Sequence, residues 1–290
     1  MGKVEKRELE IVVLSDIHLG TYGCHAEELY RYLKTIKART IVLNGDIIDM
    51  WQFSKRYWPK SHMQIVKYLA GLLTKGTKII YLTGNHDEML RKFAGFRLGS
   101  FQIENKKVIT LQGKKVWIFH GDVFDVTMRY SKWLAKLGAV GYDMLILLNR
   151  FVNWMLKLMG MGKISLSKRV KDSVKGAVKF INDFEKTAAE IAISRGYDFV
   201  VCGHIHHADM KTISTARGEV WYLNSGDWVE NLTALEYAEG SWKLYRYEED
   251  PVAKTVKIPK RLKTNRDNQE IFEDLVNEFL SEGSKEKKSE

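Results

Sequence analysis

Cysteine and proline are both scarce in these 290 residues, with two copies of one and three of the other. Cys24 and Cys202 cannot form the spaced framework of a disulfide-stapled domain, and a reducing, cytosolic setting is the simplest expectation. So little proline, beside 45% apolar residues, excludes broad disorder. The N-terminal "MGKVEKRELE" has no apolar stretch behind it, so no secretory signal is expected. Position 6 is Lys rather than the Ser or Thr that myristoylation needs. The longest apolar stretch, "DMLILLNRFVNWMLKLMGMG", is interrupted by Arg150 and Lys157, which argues against a transmembrane helix. There are no internal repeats.

Positive charge, by contrast, is abundant. The net balance is +10, and strongly basic chains commonly meet nucleic acid, anionic lipid or phosphorylated substrates. Most of the excess sits in one place: residues 125–195 hold 13 Lys or Arg against 6 Asp or Glu.

That segment also breaks an otherwise regular rhythm. The runs "IVVL" (11–14), "TIVL" (40–43), "KIIYL" (78–82), "VWIF" (116–119), "FVVC" (199–202) and "VWYL" (220–223) are short and β-branched. Bounded by Gly, Asp and Asn, they read as buried strands. Helical spacing in "AEELYRYLKTI" and "HMQIVKYLAGLL" separates the first three, so the alternation predicts an α/β layered fold with partly parallel sheets. "TALEYA" and "WKLYRY" flank "EGS" and predict a hairpin. The expected organisation is one domain over 9–250 that contains a helical insert at 125–195. A C-terminal helix, "NQEIFEDLVNEFL", and a disordered tail come after it within 251–290.

The residues just beyond each strand matter more. The first run leads to "SDIHLG", the second to "NGDIIDMW", the third to "TGNHDEM", the fourth to "HGD" and the fifth to "GHIHH". Each alone is a plausible turn, and "GHIHH" alone is balanced between a metal site and a polar loop. Together they place His, Asp and Asn repeatedly at the C-terminal ends of strands, where sites form in open α/β sheets. Such a donor set suits Mn, Fe or Zn better than Ca, which prefers oxygen throughout. Two divalent ions about 3.5–4 Å apart, joined by a bridging carboxylate, would activate a water and clamp a phosphoryl oxygen without a Ser or Cys nucleophile.

The order DxH, GDxxD, GNHD, HGD, GHxH, spread over Ile11 to Trp228, resembles the calcineurin-like dinuclear metallophosphoesterases. The resemblance implies a double β-sandwich of two mixed sheets flanked by helices, with the insert as a helical lid. It implies that Asp16, His18 and His206 hold one metal, that Asn85, His120 and His204 hold the other, and that Asp46 bridges them. Mn2+ is the expected metal, with Fe or Zn as alternatives. His86 would bind phosphate or protonate the leaving group, with Asp87 orienting its ring. Asp49 and Asp122 take supporting roles, and His207 is a bystander.

The insert discriminates among phosphoesters. Its Leu148, Phe151, Trp154 and Met155 read either as helices packed on each other or as a pocket for acyl chains. Lys168 and Arg169 belong to a basic run from Lys163 to Lys179 that reads as a solvated helix face or as a contact for anionic lipid or diphosphate. The lid placement and "LNSGDWVENLTALEY" resemble the UDP-2,3-diacylglucosamine diphosphatase group. That resemblance implies cleavage of UDP-2,3-diacylglucosamine to UMP and 2,3-diacylglucosamine 1-phosphate (lipid X) in lipid A synthesis. It further implies a peripheral position on the cytoplasmic face of the inner membrane, against its anionic surface. The well-characterised branch has Arg where this chain has His86; "GNHD" resembles the second branch. A phosphodiesterase or nuclease on the same metals is the enzymatic alternative. Against it, a Met/Leu/Trp-rich insert is a poor nucleic-acid groove, so nucleic acid is not an expected partner. A non-catalytic scaffold would be expected to lose ligands, and all seven are present.

Overall fold

The computed structural model describes residues 6–51, 57–127 and 167–258. A large sheet contains the parallel strands β1 (Arg7–Leu14), β2 (Ile36–Asn44) and β3 (Lys78–Leu82), and then the short β4 (Arg97–Leu98) and β5 (Phe101–Glu104). A smaller sheet contains β6 (Lys106–Leu111), β7 (Lys114–Phe119), β8 (Phe199–Cys202), β9 (Asp209–Thr215) and β10 (Gly218–Asn224). The hairpin β11 (Thr233–Ala238) and β12 (Ser241–Arg246) returns to the large sheet. The strand orders are β12-β11-β1-β2-β3-β5-β4 and β6-β7-β8-β10-β9, and both sheets are mixed.

The alternation of side chains along each strand builds the layers. Ile11, Val13, Val42, Ile80 and Leu82 turn inward and meet Val116, Ile118, Val201 and Leu223 of the smaller sheet. Their neighbours Val12, Leu14, Ile41, Leu43, Ile79 and Tyr81 turn outward. Helices α1 (Ala26–Thr35) and α2 (Lys60–Leu73) cover that face with Leu29, Leu33, Ile65 and Leu69. On the smaller sheet, Trp117, Phe119, Val200, Cys202 and Tyr222 face outward, under Phe184, Ala188, Ala189 and Ala192. The result is the expected double β-sandwich with helices on both outer faces.

The insert is described only at its two ends. A five-residue helix α3 (Val123–Thr127) opens it, and a long helix α4 (Ser167–Ser194) closes it. Phe184 to Ala192 of α4 pack on the small sheet, so that end of the insert is part of the body. Among the described residues, no helix is long and apolar enough to cross a membrane. After residue 250 the chain stays with the body through α5 (Pro251–Thr255). Asp250 accepts from Ala253 N, from Tyr245 Oη and from Arg7, each at 2.9–3.1 Å. The expected helix beyond 268 and the tail lie outside the described residues.

The parallel pairing matters most for function. Leu14 pairs with Leu43, Asn44 with Leu82, and Ile118 with Val201. The segments after these strands therefore leave at one edge of the sandwich. Two hydrogen bonds lock the sheets there: Asn44 Nδ2 donates to Phe119 O at 3.1 Å, and His120 Nδ1 donates to Asn44 O at 2.9 Å.

His62, on α2, is buried and accepts a hydrogen bond from Gly20 N at 2.9 Å. Burial pushes its pKa down from 6.5 to about 4. The unfolded ring takes up its proton near pH 6.5 and the folded ring only near 4. The contribution to stability is therefore present above pH 6.5 and lost as pH falls toward 4. Between pH 7 and pH 5 this residue should lower the unfolding free energy by about 2 kcal/mol. Urea unfolding of wild type and His62→Gln at the two pH values measures the difference. Equal acid losses in the two proteins would remove His62 from the acid response.

Candidate metal centre

Five loops meet at the shared edge, and the backbones of three are strained where expected ligands sit. Asp16 (φ +51°), His18 (+53°), Asp46 (+53°), His204 (+70°) and His206 (+50°) all occupy the left-handed region that side chains avoid. Hydrogen bonds between loops hold them there. Asp16 N donates to Gly45 O, His18 N to Asp46 O and His204 N to Asp16 Oδ2, at 2.9–3.1 Å. His86 N donates to Asp46 Oδ1 at 2.8 Å. The glycines of the motifs provide clearance for the ligands of other motifs. A Cβ on Gly84 would lie 2.2 Å from Asp46 Oδ1, one on Gly203 2.6 Å from Asp16 Oδ2, and one on Gly45 2.4 Å from His120 Cγ.

Two groups of donors result. Asp16, His18 and His206 offer atoms within 4.8 Å of one another, and so do Asp46, His120 and His204. These are the two expected ligand sets, apart from Asn85. Asp16 Oδ1, His18 Nε2, Asn85 Oδ1 and His120 Nε2 are buried and have no hydrogen-bond partner among the described residues. Asp16 Oδ1 lies 3.2 Å from His206 Nε2, and Asp46 Oδ2 lies 3.3 Å from His120 Nε2, close enough for an ion pair but misaligned for hydrogen bonding. A buried donor or acceptor left without a partner is costly. Four of them from three loops fit divalent cations as the missing partner.

The electrostatics are those of a site that keeps its carboxylates ionised. Burial alone would raise Asp16, but the charges of His206 and His120 overcome it and hold its carboxyl at about 2. Asp46 is likewise held well below the carboxylate range against its burial, mainly by His120. Conversely, Asp16 lifts His206 to about 9 against the penalty of burial.

His86 stands beside these groups, and a third donor group joins it to His18 and Asp46. The carboxylate at its ring is Asp49: Nδ1 lies 2.7 Å from Asp49 Oδ2, which is also 3.3 Å from His18 Nδ1. The expectation that Asp87 orients this ring is therefore corrected. Asp87 accepts from Gly84 N (2.6 Å), Ile47 N (3.0 Å) and Tyr81 Oη (2.5 Å), which fastens the GNHD turn to the GD loop. Successive residues of a tight turn aim their side chains apart, so the neighbour in sequence cannot reach the ring. Asp49, arriving from another loop, can. The Trp51 ring packs 4.3 Å from that of His86.

Asp122 pairs with Arg91 and belongs to none of the donor groups, and His207 is half exposed and belongs to neither expected ligand set. Sequence reasoning singled out no role for Asp125, whose Oδ1 lies 2.9 Å from His204 Nε2. Its one signal is position, five residues after His120 on the helix next to "HGD". Leu148, Phe151, Trp154 and Met155 lie outside the described residues, and for Lys168 and Arg169 only the α4 backbone is described.

The calcineurin-like phosphoesterase family model matches residues 9–208. A UDP-2,3-diacylglucosamine hydrolase of Aliivibrio fischeri (strain MJ11) is 23% identical over 252 residues, covering 83% of this chain and 99% of the relative. The enzyme of that name from Ralstonia nicotianae is 22% identical over 230 residues, covering 75% and 84%. That from Pseudomonas fluorescens is 21% identical over 251 residues, covering 82% and 95%.

The clearance at Gly84 is open to test. Gly84→Ala drives a methyl group into Asp46 and should weaken Mn2+ binding at least about tenfold, or roughly 1.4 kcal/mol. Isothermal titration with far-UV circular dichroism measures binding and fold together. A well-folded variant with wild-type affinity would refute the steric argument.

Proposed function

Since the chain belongs to the calcineurin-like phosphoesterase family and is a metal-dependent phosphoester hydrolase, we propose that it cleaves the diphosphate of UDP-2,3-diacylglucosamine. The products are UMP and 2,3-diacylglucosamine 1-phosphate, and the enzyme works peripherally at the anionic cytoplasmic face of the inner membrane. One observation carries the reaction class: two donor groups, one containing Asp46 and the other adjoining it, stand beside a His86–Asp49 pair. The substrate reading is supported by the names of the relatives, which align over most of both chains. The apolar and basic composition of the insert supports it further.

In this reading Asp16, His18 and His206 would hold one ion, Asn85, His120 and His204 would hold the other, and Asp46 would be shared between them. Mn2+ is the proposed metal at both positions. When bound, the pair supplies Lewis acidity to a water and to a phosphoryl oxygen. The protein's own groups do the rest. Asp49 Oδ2, 2.7 Å from Nδ1 of His86, favours the protonated ring by its charge, and Nε2 would meet the phosphoryl group or hand a proton to the leaving oxygen. The Trp51 ring packs against that of His86 and limits its rotation. Leu148, Phe151, Trp154 and Met155 take the acyl chains, and Lys168 and Arg169 take the anionic part of the substrate.

Purified protein with Mn2+ should hydrolyse UDP-2,3-diacylglucosamine with a kcat/KM about 100-fold above that for bis-p-nitrophenyl phosphate or DNA, some 2.7 kcal/mol of transition-state binding. Equal turnover of the deacylated substrate would sink the acyl pocket, and faster cleavage of DNA would favour a nuclease. Asp46→Ala should lower activity on every substrate by about 1,000-fold or more, since it removes the shared ligand. Retained activity would overturn the bridging assignment.

A further inference from the structure

Two histidines of the centre, His120 and His18, share a pattern: one ring nitrogen is anchored, and the other is buried without a hydrogen-bond partner among the described residues. His120 donates from Nδ1 to Asn44 O at 2.9 Å, and its Nε2 is the atom without a partner. His18 Nδ1 lies 3.3 Å from Asp49 Oδ2, and again Nε2 has none. In each case the anchored nitrogen sets the tautomer and the other presents its lone pair.

His204 reverses the pattern. Its Nε2 is the anchored atom, 2.9 Å from Asp125 Oδ1. We infer that Asp125 is a positioning residue for the second ion: it accepts the Nε2 proton of His204 and leaves Nδ1 as the ligating atom. The inference rests on the dinuclear reading above.

The surroundings give Asp125 a fixed platform. It lies on α3 beside Phe124, whose ring packs edge-on against Phe119 and Phe184, with centroids 5.4 Å away in both cases. Phe184 of α4 also lies 6.2 Å from the His204 ring and crowds Gly121, where a Cβ would come within 2.6 Å of it. The His204 backbone is pinned separately, at φ +70° with its amide on Asp16 Oδ2 at 3.0 Å. Backbone and ring are thus held from two sides, the backbone by the first donor group and the ring by the start of the insert. Asp125 links the insert to the second ion, a role that belongs to neither the DxH nor the GHxH motif.

The test compares wild type, Asp125→Ala and Asp125→Asn by Mn2+ titration and electron paramagnetic resonance. Wild type should bind two ions and give the spectrum of an exchange-coupled pair. Asp125→Ala should bind the first ion as wild type does and the second about 10–100-fold more weakly. Its coupled signal should be lost at low Mn2+ and return in excess. Asp125→Asn, which keeps an acceptor but not the charge, should show a smaller loss at the same ion and carries the test if the alanine variant does not fold. Unchanged binding of both ions in the variants would overturn the role of Asp125, and so would equal weakening of both ions. Binding of a single ion by wild type would instead defeat the dinuclear reading itself.

Discussion

Asp46 is where the loops of this molecule are joined. Its Oδ1 accepts the amide of His86, its Oδ2 faces His120 at 3.3 Å, and its carbonyl accepts the amide of His18. Motifs from β1, β2, β3 and β7 therefore converge on one buried carboxylate. No side chain larger than hydrogen can stand at position 84 beside it. The sandwich can be seen as the scaffold that keeps these loops at this separation. Parallel strands in register, buried on both faces, leave little freedom for their ends to drift.

That arrangement is costly for the fold by itself. Five side-chain-bearing residues at the site sit in left-handed backbone, several carboxylates and imidazoles are buried together, and four donor atoms lack a hydrogen-bond partner among the described residues. Buried charge is tolerated where opposite charge or a cation satisfies it. Here the imidazoles do part of that work, holding Asp16 and Asp46 ionised, and divalent ions would complete it. Strain gathered at one edge while three apolar layers stay regular elsewhere is how a fold supports a reactive site.

Reaction class and substrate rest on different parts of the chain. The donors, and the pair formed by His86 and Asp49, belong to loops of the sandwich and are common to phosphoester hydrolysis at large. In the proposed reading, selectivity is assigned to the basic and apolar sequence between α3 and α4. The contact from Asp125 to His204 places the start of that segment beside the metal donors.

Much of this was legible in the sequence. "KIIYL" and "FVVC" are strands over their full length, because a buried strand must be apolar on both faces and its run ends where the chain leaves the core. The hairpin was legible too, and its turn puts Glu239 and Gly240 at positive φ, the geometry of a two-residue link between twisted strands. Strands β4, β5, β6 and β9 were not legible. They are short or lie at sheet edges, and their half-exposed faces dilute the apolar signal, as the strict alternation of "KKVITL" shows. The chain order alone determined the strand-end motifs and the identity of the candidate donors. Only the tertiary structure decided that Asp49 rather than Asp87 meets His86, and that Asp125 meets His204. Local sequence sets where a backbone turns, but which carboxylate reaches which ring depends on distances between loops from different strands. Those distances are set by sheet register and by the packing of one sheet on the other.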